Sequence, residues 1–279
     1  MEYRKLHLKD RFPHLGADGK DPTLELYLPT NLAEMGRQDL LRPAVLILPG
    51  GGYGFCSTRE AEPIALQFLP AGYNAFVLTY STDRRHFPSH LIEVAAALEL
   101  IHENAALWHC DRDRIAIMGF SAGGHLAAHY SNAYDCPEVR AVFPDSKPVS
   151  ASILCYPVIT GNLALTHQGS IINVSGSAHP TAQEQDFFSC EKMVTRRTPP
   201  AFLWHTATDD CVPVQNSLLY ASALAASQVP FELHIYPQGG HGLSTVDSQT
   251  CDELAPGVTR AHGWISAAIA WLSGLFGWQ

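Results

Sequence analysis

The chain predicts an α/β fold: a mostly parallel central sheet, helices on both faces, and a site at the strands' C-terminal edge. Three observations predict it. Apolar runs such as Ala44-Val45-Leu46-Ile47-Leu48 have the unbroken pattern of strands buried on both faces. These runs alternate with segments of helical length and period. Several of them end in short turns carrying glycine, serine, aspartate or histidine, where such sheets present their chemistry.

The elements follow in order. Leu24-Glu25-Leu26-Tyr27-Leu28 alternates like an early, half-exposed strand, and 31–42 is a polar connection. Residues 44–48 form a buried strand, and 74–80 a second one after the turn Pro70-Ala71-Gly72. Pro88 opens a helix over 89–106, with Leu91, Val94, Ala95, Leu98 and Ile101 on one face. A strand over 115–118 runs into a turn and then a helix-like segment over 124–130. Residues 151–155, 201–205 and 231–236 supply three more strands. Helices are expected over 214–227, stopping before Pro230, and over 258–275. Residues 158–198 fit no strand and read as an insert lying over the site as a partial lid. With 279 residues, no repeat and no low-complexity tract, the chain is expected to form one domain over 1–279.

The chemistry concentrates at strand ends. Gly119-Phe120-Ser121-Ala122-Gly123 sits between strand and helix, the context in which Gly-x-Ser-x-Gly makes a nucleophile elbow. A serine hydroxyl needs a base to take its proton and a carboxylate to orient that base. Asp209 follows the apolar run 201–205, and His241 lies between glycines after the strand 231–236. Ser121, Asp209 and His241 therefore come in the chain order Ser, Asp, His. Upstream, Pro49-Gly50-Gly51-Gly52-Tyr53 is a glycine-rich loop whose N–H groups can approach a substrate oxygen. With the N–H of Ala122, those of Gly51 and Gly52 are the candidate oxyanion hole. No Gly-Lys-Ser/Thr follows the loop, which excludes a P-loop. Tyr53 and Tyr156 are candidates for a substrate-binding wall, together with Tyr80, Phe187 and Phe188. His205 ends a strand and is a candidate for a residue just behind the site, and His234 and His262 read as ordinary structural residues.

These motifs resemble those of α/β-hydrolases of the esterase and lipase class. The subgroup resemblance is to acetyl esterases and acetylxylan-esterase-like proteins. It rests on Leu48-Pro49-Gly50-Gly51-Gly52-Tyr53, the elbow, the run from Thr198 to Ala207, Val212-Pro213-Val214-Gln215-Asn216-Ser217, and Gly239-Gly240-His241-Gly242. Pro49 departs from the histidine usual at that place. In the subgroup the acid lies four residues after the strand-end histidine, which selects Asp209 over Asp210. The resemblance implies an α/β-hydrolase fold and hydrolysis of short-acyl esters on a sugar scaffold. The alternatives are a feruloyl or other aryl esterase, a serine peptidase of the prolyl-oligopeptidase type, and a non-catalytic binding module. The peptidase reading expects a large N-terminal region that this sequence lacks, and the module reading expects a missing triad member.

The bounds agree with this reading. No apolar run reaches the ~18 residues of a membrane span. The first ten residues have no apolar signal core, so a cytoplasmic protein is expected. Seven scattered cysteines without a C-x-x-C suggest reduced thiols, and neither a metal site nor a cofactor is expected. A net charge of −9 disfavours nucleic acid. The expected partner is a small-molecule ester, and a homo-oligomer is compatible with the sequence.

Overall fold

The computed structural model describes residues 1–16, 21–82, 85–251 and 257–278. Its centre is one eight-stranded sheet: β1 (Glu2–His7), β2 (Thr23–Leu28), β3 (Arg42–Leu48), β4 (Asn74–Thr79), β5 (Cys110–Phe120), β6 (Ala151–Cys155), β7 (Ala201–Thr206) and β8 (Phe231–Tyr236). The spatial order is β1-β2-β4-β3-β5-β6-β7-β8. β1 pairs antiparallel with β2 and β2 with β4, and every other pairing is parallel.

Parallel strands need crossovers, and helices supply them. In chain order the helices are α1 (Leu8–Arg11), α2 (Glu62–Phe68), α3 (Ser89–Glu103), α4 (Ala122–Ala133), α5 (Pro137–Arg140), α6 (Gln168–Ser175), α7 (Ala182–Phe187), α8 (Gln215–Ala226) and α9 (Trp264–Phe276). Alternate residues of β3 enter opposite cores. Ala44, Leu46 and Leu48 pack with Leu91 of α3, Leu126 of α4 and Tyr220 of α8. Val45 and Ile47 pack with Phe68 of α2 and with Trp264, Ala268 and Leu272 of α9. Two apolar faces per strand explain why the run 44–48 shows no alternation.

Three expectations are revised. β1 is an additional edge strand. Its sequence, Glu-Tyr-Arg-Lys-Leu-His, is mostly exposed and carries no apolar run. β2 is largely buried rather than half-exposed, because β1 and β4 flank it and Leu24, Leu26 and Leu28 join the core. The last helix begins as a 3₁₀ turn over Val258–Gly263 before α9. No described helix is long and apolar enough to cross a membrane.

The strand order places the site. From β3 the chain passes to β4 on one side and later to β5 on the other. The C-terminal ends of β3 and β5 are therefore neighbours at a switch point, with Leu48 paired to Gly119. Beside them, in order, end β6, β7 and β8.

Candidate active site

β5 is followed immediately by Ser121 and then by α4. Ser121 has φ 54° and ψ −118°, outside the ordinary regions for a residue with a side chain. The turn is tight enough that its glycines are obligatory. A Cβ on Gly119 would lie 2.1 Å from the Gly123 carbonyl oxygen, and one on Gly123 would lie 2.2 Å from that of Leu48. Ser121 is tied to the next strand by its N–H on the Cys155 oxygen, 3.0 Å.

The loop after β7 carries Asp209, whose side chain is fully buried. Its carboxylate is saturated with donors. Oδ1 accepts the N–H groups of Cys211 (3.0 Å) and Val212 (2.8 Å). Oδ2 lies 2.8 Å from His241 Nδ1 and 3.2 Å from His205 Nε2. Burial alone would raise this carboxyl's pKa. The bonds from His205 and His241, the charge of a protonated His241 and the Val212 N–H outweigh burial and hold it well below the usual range. Asp210, by contrast, is exposed.

His241 closes the chain of hydrogen bonds. Its Nε2 is 2.7 Å from Ser121 Oγ. Since Asp209 only accepts, Nδ1 carries the proton and donates. The Nε2 lone pair then accepts the Ser121 hydroxyl. His205 is fixed the other way. Its Nε2 lies 2.9 Å from the Val212 carbonyl, an acceptor, so Nε2–H donates there and toward Asp209. Its Nδ1 accepts the Ser217 hydroxyl at 2.8 Å.

A cavity of about 240 Å³ opens at Ser121, lined by Gly51, Gly52, Phe55, Ser57, Arg59, Glu60, His167, Cys211, His241 and Gly242. Gly51 has φ 128°, and a Cβ there would lie 2.1 Å from the Phe55 oxygen, so the loop must be glycine at this point. Ala122 is the first residue of α4, where N–H groups have no acceptor within the helix. The structure thus brings Ser121, Asp209 and His241 into contact and puts Gly51 and Gly52 in the same cavity.

The two tyrosines are placed differently from the sequence expectation. Neither Tyr53 nor Tyr156 lines the cavity. Both are buried, because each hydroxyl finds a partner in the interior. Tyr53 bonds His125 Nδ1 at 2.7 Å, and Tyr156 donates to Glu60 Oε1 at 2.7 Å. Tyr80 and Phe188 are likewise core residues. Sequence reasoning missed Arg59, Glu60 and His167. Arg59 and Glu60 arrive on a single 3₁₀ turn, Thr58–Glu60, too short for any periodicity to announce. His167 comes from the 158–198 segment, which is bound to the glycine loop by Asn173 Nδ2 donating to the Gly52 oxygen at 2.8 Å. Ile171, Val174, Phe188 and Cys190 of that segment are in the core, so it is a packed wall of the site.

The comparisons with known proteins bear on this site. The model of the prolyl oligopeptidase family matches residues 93–258, more than half of the chain, and the BD-FAE model matches 24–151. The chain belongs to the prolyl oligopeptidase family of α/β-hydrolases. Within this superfamily it is similar to several esterases and to a xylanase. It is 38% identical over 231 residues to endo-1,4-beta-xylanase B of Butyrivibrio fibrisolvens, covering 80% of this chain and 36% of that protein. It is 31% identical over 234 residues to an acetylxylan esterase of Xylanibacter ruminicola, covering 82% of this chain and 45% of that one. The chain thus spans less than half the length of either relative. A solved structure, the acetyl ester-xyloside bifunctional hydrolase of Caldicellulosiruptor lactoaceticus, superposes with a TM-score of 0.83 at 31% identity, over 98% of this chain and 96% of that one.

Proposed function

We propose that this α/β-hydrolase is a serine carboxylic-ester hydrolase for short acyl groups, acting on acetylated sugars or xylo-oligosaccharides. The observation that carries the reading is His241 bridging Ser121 Oγ at 2.7 Å and Asp209 Oδ2 at 2.8 Å. In this reading Ser121 attacks the ester carbonyl while His241 Nε2 takes its proton. Asp209 holds the imidazole in the required tautomer and stabilises the imidazolium. The N–H groups of Ala122 and of Gly51 or Gly52 hold the oxyanion. The alcohol leaves with the proton from His241. Water, activated by the same histidine, then releases the acid from the acyl-enzyme.

Three features support the substrate class. The cavity is small, and so better suited to acetyl than to octanoyl chains. Arg59 and His167 give its wall hydrogen-bonding groups for a carbohydrate. Two of the relatives and neighbours named above have acetyl-ester hydrolysis in their names. One observation favours an aryl esterase as a second reading: Phe55 lines the cavity and is 61% exposed, an open aromatic face.

A fluorophosphonate probe should label Ser121, and Ser121→Ala should abolish labelling and lower kcat by about 10⁴-fold or more with the fold intact. On a panel of acyl esters, kcat/KM should fall steeply from acetyl and butyryl to octanoyl, with acetylated xylo-oligosaccharides deacetylated. Octanoyl esters cleaved fastest would reject the short-acyl reading, feruloyl esters fastest would select the aryl alternative, and turnover of peptides alone would select the peptidase.

A further inference from the structure

Glu60 is buried, 3% exposed, yet the mechanism above gives it no role. Both of its oxygens are occupied by donors from different parts of the site. Oε2 accepts the N–H of Gly50 at 2.8 Å, at the root of the glycine loop. Oε1 accepts the Tyr156 hydroxyl at 2.7 Å. That hydroxyl in turn accepts the Ser244 N–H at 3.0 Å, three residues beyond His241. The Tyr156 ring stands edge-on to the His241 imidazole, centroids 5.1 Å apart. Two further bonds fix the same junction: Ser244 Oγ donates to the Arg59 carbonyl at 2.5 Å, and Trp264 Nε1 donates to the Ser244 carbonyl at 2.9 Å. Gly50 is wedged between Glu60 and the nucleophile. A Cβ there would fall 2.8 Å from Oε2 and 2.9 Å from Ser121 Cβ.

Accepting the reading of Ser121 and His241 given above, we infer that Glu60 is a positioning residue: its carboxylate ties the oxyanion loop through Gly50 to the histidine loop through Tyr156 and Ser244. One ion thus sets the distance between the two halves of the site that must act together. Only a carboxylate suits this place, because both partners are donors. A Gln would present its NH₂ to one of them and leave that group unpaired in the interior. The titratable and charged groups facing Glu60 are Tyr156, His241 and Arg59, with Tyr80, Cys56 and Cys155 nearby. Burial raises its pKa, and the bonds from Tyr156 and Gly50 and the charges of His241 and Arg59 oppose that rise.

The test is Glu60→Gln. On p-nitrophenyl acetate, kcat should fall by about 10- to 100-fold with KM within about 2-fold, a mispositioned oxyanion donor costing less than the 10²–10³ of a deleted one. Loss of the negative charge should also move the acid limb of kcat/KM to lower pH. A readout that needs no substrate is the NMR spectrum of the His241 ring, whose resonances at fixed pH should move when the tie through Tyr156 is altered. If the wild type cleaves no ester, the esterase reading falls and the NMR spectrum still decides the role of Glu60. Unchanged kcat, a raised KM alone, or an unaltered His241 spectrum would overturn the inference. Tyr156→Phe keeps the Gly50 bond and cuts the link to Ser244. It should lower kcat by itself, and combined with Glu60→Gln it should lose no more than Glu60→Gln alone. Should Glu60→Gln fail to fold, an unimpaired Tyr156→Phe would overturn the inference.

Discussion

The loop after β8 and the end of β7 each deliver a histidine to the same oxygen of Asp209. His241 reaches Oδ2 at 2.8 Å and His205 reaches it at 3.2 Å. The difference lies in what else each ring touches. His205 is wholly buried, and its second nitrogen is held by Ser217. His241 is 17% exposed on its side chain, and its second nitrogen faces Ser121 across an open cavity. One ring has all its hydrogen-bonding capacity committed to the interior. The other keeps one nitrogen on Ser121, which the proposed mechanism uses for proton exchange. The residue type and the shared carboxylate do not make a base; the free side of the ring does.

That comparison can be broken from its centre outward. Asp209→Asn removes the acceptor both rings use, and the amide would favour the wrong tautomer of His241. We expect kcat to fall about 10³- to 10⁴-fold, with Asp210→Asn within about 3-fold of wild type. Steady-state kinetics on an acetyl ester would check this, and equal losses would move the acid by one residue. Next, His205→Asn should lower kcat about 10-fold and also reduce the melting temperature, since it orphans Ser217 and weakens the hold on Asp209. If it proved as damaging as loss of His241, the two rings would not be distinct in role.

A separate effect, on stability and not on turnover, concerns pH. Three other histidines are buried behind the glycine loop. Burial lowers the pKa of His125 to about 4, and burial first, with neighbouring charges, lowers those of His90 and His129 to about 3. In the unfolded chain each titrates near ~6.5. Between these values the unfolded state binds protons that the fold refuses, so stability rises with pH across that window. It should be fully present above ~6.5 and decline toward pH 4, by at most ~1.4 kcal/mol per pH unit for each histidine. Urea unfolding at pH 7.5, 6.0 and 5.0 would measure it, and a flat series would mean these rings are more hydrated than their burial implies.

The comparison also shows what the sequence reveals. Strands buried on both faces announce themselves, and β6 falls on the expected residues 151–155. Ser121, Asp209 and His241 were legible because each follows a strand end, so register alone delivers it to the edge of the sheet. β1 was not legible, because an exposed edge strand owes its form to pairing with β2 and carries no core pattern. Nor was the layer behind the triad. Tyr53 and Tyr156 read as candidates for a substrate-binding wall, and only the fold reveals that His125 and Glu60 draw their hydroxyls inward. Glu60 sits on one short 3₁₀ turn and His167 at the N-cap of α6, and their positions depend on connecting segments to which hydrophobic periodicity is blind.

Five non-glycine residues around this site hold a positive φ: Tyr53, Ser121, Tyr156, Ser244 and Val246, at 36° to 61°. Each such backbone stores about 1–3 kcal/mol that the surrounding bonds must restrain. For Val246 the conformation is especially costly, its side chain being β-branched. Breeding this enzyme for heat tolerance would find its easiest gains where a substitution lets one of these turns relax. Those gains would come from the residues that keep Ser121, His241 and the glycine loop in register, so on the proposed mechanism a screen on melting temperature alone would select against turnover.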